Sequence, residues 1–159
     1  MTASLLPVIG KPAPDFSLPA STGETITLRQ FKGKKTVVLY FYPKDETPGC
    51  TKEACALRDL SAEFEKQGTV ILGVSTDGIE SHQAFAAKHK LPFPLLSDED
   101  AAVSKRYGVY KQRNLYGKKY MGIERTTFVI DRTGRIAQIY PKVKVDGHAD
   151  ALLEFVAGD

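Results

Sequence analysis

Thr36-Val-Val-Leu-Tyr-Phe-Tyr42 is an unbroken apolar run, rich in β-branched and aromatic residues, that ends at Pro43. A strand of this kind shows no alternation between apolar and polar positions, so it must be covered on both faces. The residues that follow say how the chain leaves the strand. Thr47 is a good helix N-cap residue and Pro48 suits the first helical position. The helix that starts there carries Ala54, Leu57, Leu60 and Phe64 along one face and has Gly68 as its stop.

Both cysteines of the 159-residue chain lie in this helix. Cys50 falls at its third position, where free backbone N–H groups and the helix dipole favour an anion and so favour thiolate over thiol. Cys55 is five residues further on. On an intact helix that spacing means about 7.5 Å of rise and about 140° of rotation, with Cα atoms roughly 8 to 9 Å apart. A disulfide needs about 4.4 to 6.8 Å, so the two can bridge only if the first turns unwind. An attacking thiol and a resolving thiol would have this arrangement. Two buried, inert cysteines are the plain alternative. A stabilising disulfide is a weaker one, since a six-residue ring contributes only about 2 kcal/mol and distorts its own helix. The spacing does not suit a metal site, and His82, His89 and His148 read as surface or partly buried helix residues without a catalytic role.

The rest of the chain continues the pattern. Phe16 to Leu18 and Thr25 to Leu28 read as a short hairpin about Ser21-Thr-Gly-Glu24. Val70 to Ser75 is a second buried strand, Ser81 caps a helix to about Lys90, Leu91 to Leu96 leads into a third strand segment, and Asp100 to Tyr107 is a short helix. Thr126 to Asp131 and Arg135 to Tyr140 form a hairpin across Arg132-Thr-Gly134, and a last helix runs from His148 to Val156. This order is that of an α/β, thioredoxin-like fold, a central mixed sheet flanked by helices with an N-terminal hairpin. With 42% hydrophobic residues the chain fits a single domain over 1–159.

Composition narrows the function classes. A net charge of +3 from 22 basic and 19 acidic residues does not imply nucleic-acid binding. The basic and tyrosine-rich stretch from Lys105 to Tyr120 reads as a solvated loop. Lys32-Gly-Lys-Lys-Thr36 lacks the glycine spacing of a phosphate loop. No segment reaches transmembrane length, and the start, broken by Pro7, lacks the basic region of a secretory leader. Two thiols without a disulfide framework point to a reducing cytoplasm.

Pro43-x-x-x-Thr47-x-x-Cys50 matches the signature of the peroxiredoxins, and Cys50 with Cys55 resembles the thiol pair of their Q type, the bacterioferritin comigratory protein family. The resemblance runs from Gly10-Lys-Pro-Ala-Pro-Asp-Phe16 to Glu124-Arg-Thr-Thr-Phe-Val-Ile-Asp131. It implies an atypical two-cysteine, thiol-dependent peroxidase in which Cys50 attacks a hydroperoxide, Thr47 and Arg125 complete the site, Pro43 shields the sulfur and Cys55 resolves the sulfenic acid. It further implies a thioredoxin-like reductant, no flavin, haem or metal, and a monomer. Glu53 reads either as a local helix cap or as a residue that orients Arg125, the cap being favoured, and Tyr42 as either pocket or core. A general disulfide oxidoreductase would carry C-x-x-C, a glutathione-peroxidase-like site would use tryptophan, and neither is present. A chaperone module would rely on exposed apolar surface instead of thiols.

Overall fold

The structure, a computed structural model, describes residues 6–158. The first five residues, part of the start read above for a secretory leader, lie outside the described residues, as does Asp159. The central sheet has the strand order β5-β4-β3-β8-β9. Its middle strand β3 (Thr36–Phe41) pairs in parallel with β4 (Thr69–Ser75) and antiparallel with β8 (Thr126–Ile130). Beyond them lie β5 (Leu95–Ser97), parallel to β4, and β9 (Ile136–Tyr140), antiparallel to β8. The sheet is therefore mixed.

Period two along β3 divides the core. Val37, Leu39 and Phe41 face one layer with Phe16, Leu18, Ile26, Tyr107 and Phe128, which brings in the N-terminal hairpin β1 (Ser17–Pro19) and β2 (Thr25–Thr27) and leads to α4 (Ala102–Arg106). Val38, Tyr40 and the following Tyr42 face the other layer with Cys50, Leu57, Phe64, Phe85 and Leu152. Those residues come from α1 (Pro48–Asp59), α2 (Ser61–Lys66), α3 (Ile79–His89) and α5 (His148–Ala157). Every residue from Val37 to Tyr42 is buried, as an unbroken apolar strand requires.

Three local readings are corrected. The helix carrying the cysteines does not run on to Gly68; it ends at Asp59, and Leu60 at φ −106°, ψ 6° turns the chain before α2. Helix α3 starts at Ile79 after Gly78 and not at Ser81, because the Ser81 hydroxyl is occupied elsewhere, donating to Asp45 Oδ2 at 2.8 Å. The stretch read as a solvated loop contains a hairpin, β6 (Tyr110–Leu115) with β7 (Lys118–Ile123). Tyr116 and Gly117 both adopt positive φ, 54° and 81°, as a two-residue turn between twisted strands requires. Because most of this hairpin is exposed on both faces, its sequence carries little of the usual alternation.

Candidate active site

Helix α1 leaves the carboxyl end of β3, where open α/β sheets tend to bind ligands. Thr47 has the extended backbone of an N-cap, Pro48 is the first helical residue, and Thr51 N–H donates to Thr47 O at 2.9 Å. The Thr47 hydroxyl does not cap the helix. It donates to Lys44 O at 2.8 Å, which leaves its lone pairs as acceptors.

Cys50 stands at the third helical position with 1% exposure. Arg125, immediately before β8, reaches it from across the sheet: Nη2 lies 3.4 Å from Cys50 Sγ, and Nη1 donates to Glu53 Oε1 at 2.6 Å. One guanidinium thus joins two side chains that sit one turn apart on α1, through the two prongs of its planar fork. Glu53 is buried and serves to orient Arg125, so the local capping role read from sequence is corrected. Burial pushes its carboxyl up to about 7, against the pull of the Arg125 charge. Burial also works against the Arg125 cation, but Glu53 and Cys50 outweigh it and hold the guanidinium charged. Gly49 makes room for the approach, since a Cβ there would meet Arg125 Nη2 at 3.1 Å.

The other side of Arg125 faces a pocket of about 340 Å³ lined by Pro43, Arg113, Glu124, Arg125, Lys142 and Val143. Arg125 O accepts from Val143 N–H at 2.9 Å, which fixes the backbone beneath the guanidinium. The structure therefore brings Pro43, Thr47, Cys50 and Arg125 to one end of the sheet. Sequence reasoning did not find Arg113; its position opposite Tyr120 in the β6–β7 hairpin explains the omission, because that hairpin was not foreseen.

Below the loop lies a buried hydrogen-bond hub that sequence reasoning also missed. Asp45 accepts from the Tyr42 hydroxyl at 2.6 Å, from Ser81 at 2.8 Å and from His82 Nδ1 at 2.7 Å. Its own N–H donates to Asp77 Oδ2 at 2.8 Å, and His82 Nε2 meets Leu96 O at 2.9 Å. Burial opposes the Asp45 charge, yet the donors His82, Tyr42 and Ser81 outweigh it and keep the carboxyl below its usual range. Among the described residues, Asp45, Asp77 and His82 are the one group spaced to hold a metal. The Asp45 oxygens are already engaged by protein donors, so the chemistry of the set is that of a clamp. Tyr42 belongs to the core, and His82 is fully buried rather than near the surface.

His148 is likewise buried, with Nε2 2.9 Å from the Thr127 hydroxyl. Burial and the nearby Arg125 charge push it down to about 4. Glu53 and His148 then act on stability in opposite directions. Glu53, raised from 4.5 to about 7, contributes stability that is fully present below pH 4.5 and lost as pH rises through 7. His148, lowered from 6.5 to about 4, contributes stability present above pH 6.5 and lost as pH falls through 4. Each is worth about 3 kcal/mol at about 1.4 kcal/mol per unit, so the two nearly cancel in the window they share. Urea unfolding of the parent should change little between pH 6.5 and pH 4.5, whereas Glu53→Gln should lose about 3 kcal/mol between pH 6.5 and pH 4. Equally flat profiles for parent and variant would show that the two groups do not oppose each other.

Cys55 is half-buried on α1 and its thiol is free, as is that of Cys50. The helix is intact over both positions, so the pair is not a structural staple in this state.

The chain matches the AhpC/TSA family over residues 9–139. Among curated relatives it is 56% identical over 140 residues to a protein of Coxiella burnetii named as a bcp peroxiredoxin, covering 88% of this chain and 92% of that one. It is 50% identical over 145 residues to peroxiredoxin Bcp of Bacillus subtilis, covering 91% and 92%. Of solved structures, Xanthomonas campestris peroxiredoxin Q superposes with a TM-score of 0.85 at 47% identity, covering 90% of each chain. A bacterioferritin comigratory protein of the same organism, described for its alkyl peroxide reduction activity, gives a TM-score of 0.88 at 44% identity over 95% and 98%.

Proposed function

This chain belongs to the AhpC/TSA family of peroxiredoxins and is a thiol-dependent peroxidase; from that premise we propose that Cys50 is the peroxide-reducing thiol and Cys55 its resolving partner. The Cys50 thiolate attacks one oxygen of a hydroperoxide, forming an S–O bond as the O–O bond breaks. Sulfenic acid remains on Cys50, and the departing oxygen leaves as alcohol or water. The observation that carries this reading is the Arg125 fork, 3.4 Å from Cys50 Sγ and held by Glu53 at 2.6 Å. A cation fixed beside the sulfur can bind the peroxide oxygens and stabilise the charge that develops on the leaving one. The first N–H groups of α1 add donors, and the Thr47 hydroxyl, its proton given to Lys44 O, can accept a hydrogen bond from the peroxide. Pro43 closes one side of the approach.

Cys55 then attacks the sulfenic sulfur to form the Cys50–Cys55 disulfide and water, and an external dithiol protein of the thioredoxin kind restores both thiols. Alkyl hydroperoxides are within this scope, as the Xanthomonas campestris relative suggests. We place the protein in a reducing cytoplasm as a monomer acting as one domain, without flavin, haem or metal. No helix of the described residues is long and apolar enough to cross a membrane.

One equivalent of peroxide added to the reduced protein tests the reading directly. Both thiols should disappear, and peptide mapping should find a Cys50–Cys55 disulfide. Because an intact helix holds the two Cα atoms about 8 to 9 Å apart, the bridge must unwind residues 47–57. Amide exchange in that segment should accelerate at least about tenfold on oxidation, while Val37 to Tyr42 stays protected. A second thiol that persists after peroxide, or equal protection of 47–57 in both states, would contradict it.

A further inference from the structure

The Cys55 side of α1 carries a second constellation, which the cycle above leaves unused. His89 Nδ1 lies 3.9 Å from Cys55 Sγ, within reach of a thiol–imidazole hydrogen bond. The opposite ring nitrogen, Nε2, is buried without a hydrogen-bond partner and lies 3.7 Å from Glu46 Oε1. A proton on Nε2 facing that carboxylate leaves the Nδ1 lone pair toward the thiol. The ring is well fixed. It stands edge-on to Phe85 at 5.2 Å between centroids, and His89 is the last residue of α3, where its carbonyl accepts from Arg58 Nη1 at 2.9 Å. The charged groups around it are Glu46 from the connection between β3 and α1, Lys88 from α3, 3.4 Å from Glu46 Oε1, and Arg58 from α1.

We propose that His89 is the general base for Cys55, oriented by Glu46, so that the resolving thiol gives up its proton while α1 is still folded. The proposal rests on the reading of Cys55 as the resolving cysteine. His89 Nδ1 takes the Cys55 proton. The thiolate attacks Cys50 sulfur, the S–S bond forms as the S–O bond breaks, and the hydroxide that departs takes a proton from the imidazolium or from solvent to leave as water. No oxidant beyond the peroxide already consumed is needed. Residue identity and geometry together make the case: a nucleophile, a base within reach of it, and a carboxylate on the far side of the base. Glu46 also adopts φ 65°, in the left-handed region that non-glycine residues rarely occupy, so its side chain is presented from a constrained loop.

The test is single-turnover kinetics on the full chain, following sulfenic acid formation and its condensation separately. His89→Ala should slow condensation at pH 7 by about a hundredfold, the lower end of general-base effects, with peroxide attack on Cys50 unchanged. His89→Gln, which keeps more of the side chain's volume but cannot act as the base, should show the same loss, and Glu46→Gln a loss of about tenfold. Added imidazole should restore part of the condensation rate in His89→Ala. A merely structural role would give no imidazole rescue. Condensation at the parental rate and pH dependence in His89→Gln overturns the base assignment and leaves the disulfide reading standing. A parent protein that forms no Cys50–Cys55 disulfide overturns both.

Discussion

Cys50→Ser is expected to consume no peroxide above the uncatalysed rate, whereas Cys55→Ser should reduce one equivalent and then stop as a sulfenic acid. The two cysteines share a helix but not an environment. Cys50 is 1% exposed at the third helical position with Arg125 Nη2 at 3.4 Å, while Cys55 lies a turn and a half further along, away from the free N–H groups of the first turn. Stopped-flow traces with hydrogen peroxide and an alkyl hydroperoxide separate the two: a full-rate first turnover in Cys50→Ser would exchange their roles.

Arg125→Met is expected to slow peroxide attack by about 10² to 10³, the usual effect of removing one preorganised donor from a developing oxyanion. The loss should exceed what the thiolate fraction explains. For a thiol in general, moving the pKa from about 8.5 to about 6 raises the thiolate fraction at pH 7 roughly thirtyfold. Nucleophilicity falls at the same time, and a Brønsted slope of about 0.45 leaves a net gain of only about twofold. Positioning and charge stabilisation must therefore supply most of the acceleration. In Arg125→Met the buried Glu53 loses its partner, and a carboxyl already raised to about 7 can take a proton instead of remaining as an unpaired charge. The fold should tolerate the change. Arg125→Lys should recover only part of the rate, because an ammonium cannot address Glu53 and Cys50 with one rigid fork. Thiolate titration and peroxide rate measured in the same variant decide the matter: a rate loss equal to the loss of thiolate fraction would remove Arg125 from the transition state.

How far the site can be read from the sequence depends on whether its determinants are local. Strand β3, the Thr47-Pro48 start of α1 and the position of Cys50 follow from adjacent residues, and they stand where expected. For Glu53 the sequence offers both a local cap and an orienting contact with Arg125, and local propensity favours the cap. Its true partner is Arg125, 72 residues away, and only the pairing of β3 with β8 brings the two together. Ser81 is a better cap than Gly78 by propensity alone, but a buried carboxylate 36 residues upstream outbids the helix for its hydroxyl. His82 gives no local sign that it meets Asp45, in the connection between β3 and α1. The β6–β7 hairpin is hidden for a different reason: a ribbon exposed on both faces has little need for apolar alternation, and Tyr116-Gly117 was its main signal.

The Asp45 hub has a kinetic consequence. If α1 unwinds from residue 47 to form a disulfide, the melting has a fixed origin, because Asp45 remains tied to Tyr42, Ser81, His82 and Asp77 two residues before the N-cap Thr47. Helix formation is slow chiefly at nucleation, when several dihedrals must be set for the first hydrogen bond. A chain already anchored beside its first turn avoids much of that search and can rewind by elongation, at nanoseconds per residue. Recovery of the reactive thiol should then be limited by encounter with the reductant, with the rewinding of the helix too fast to appear in the turnover rate.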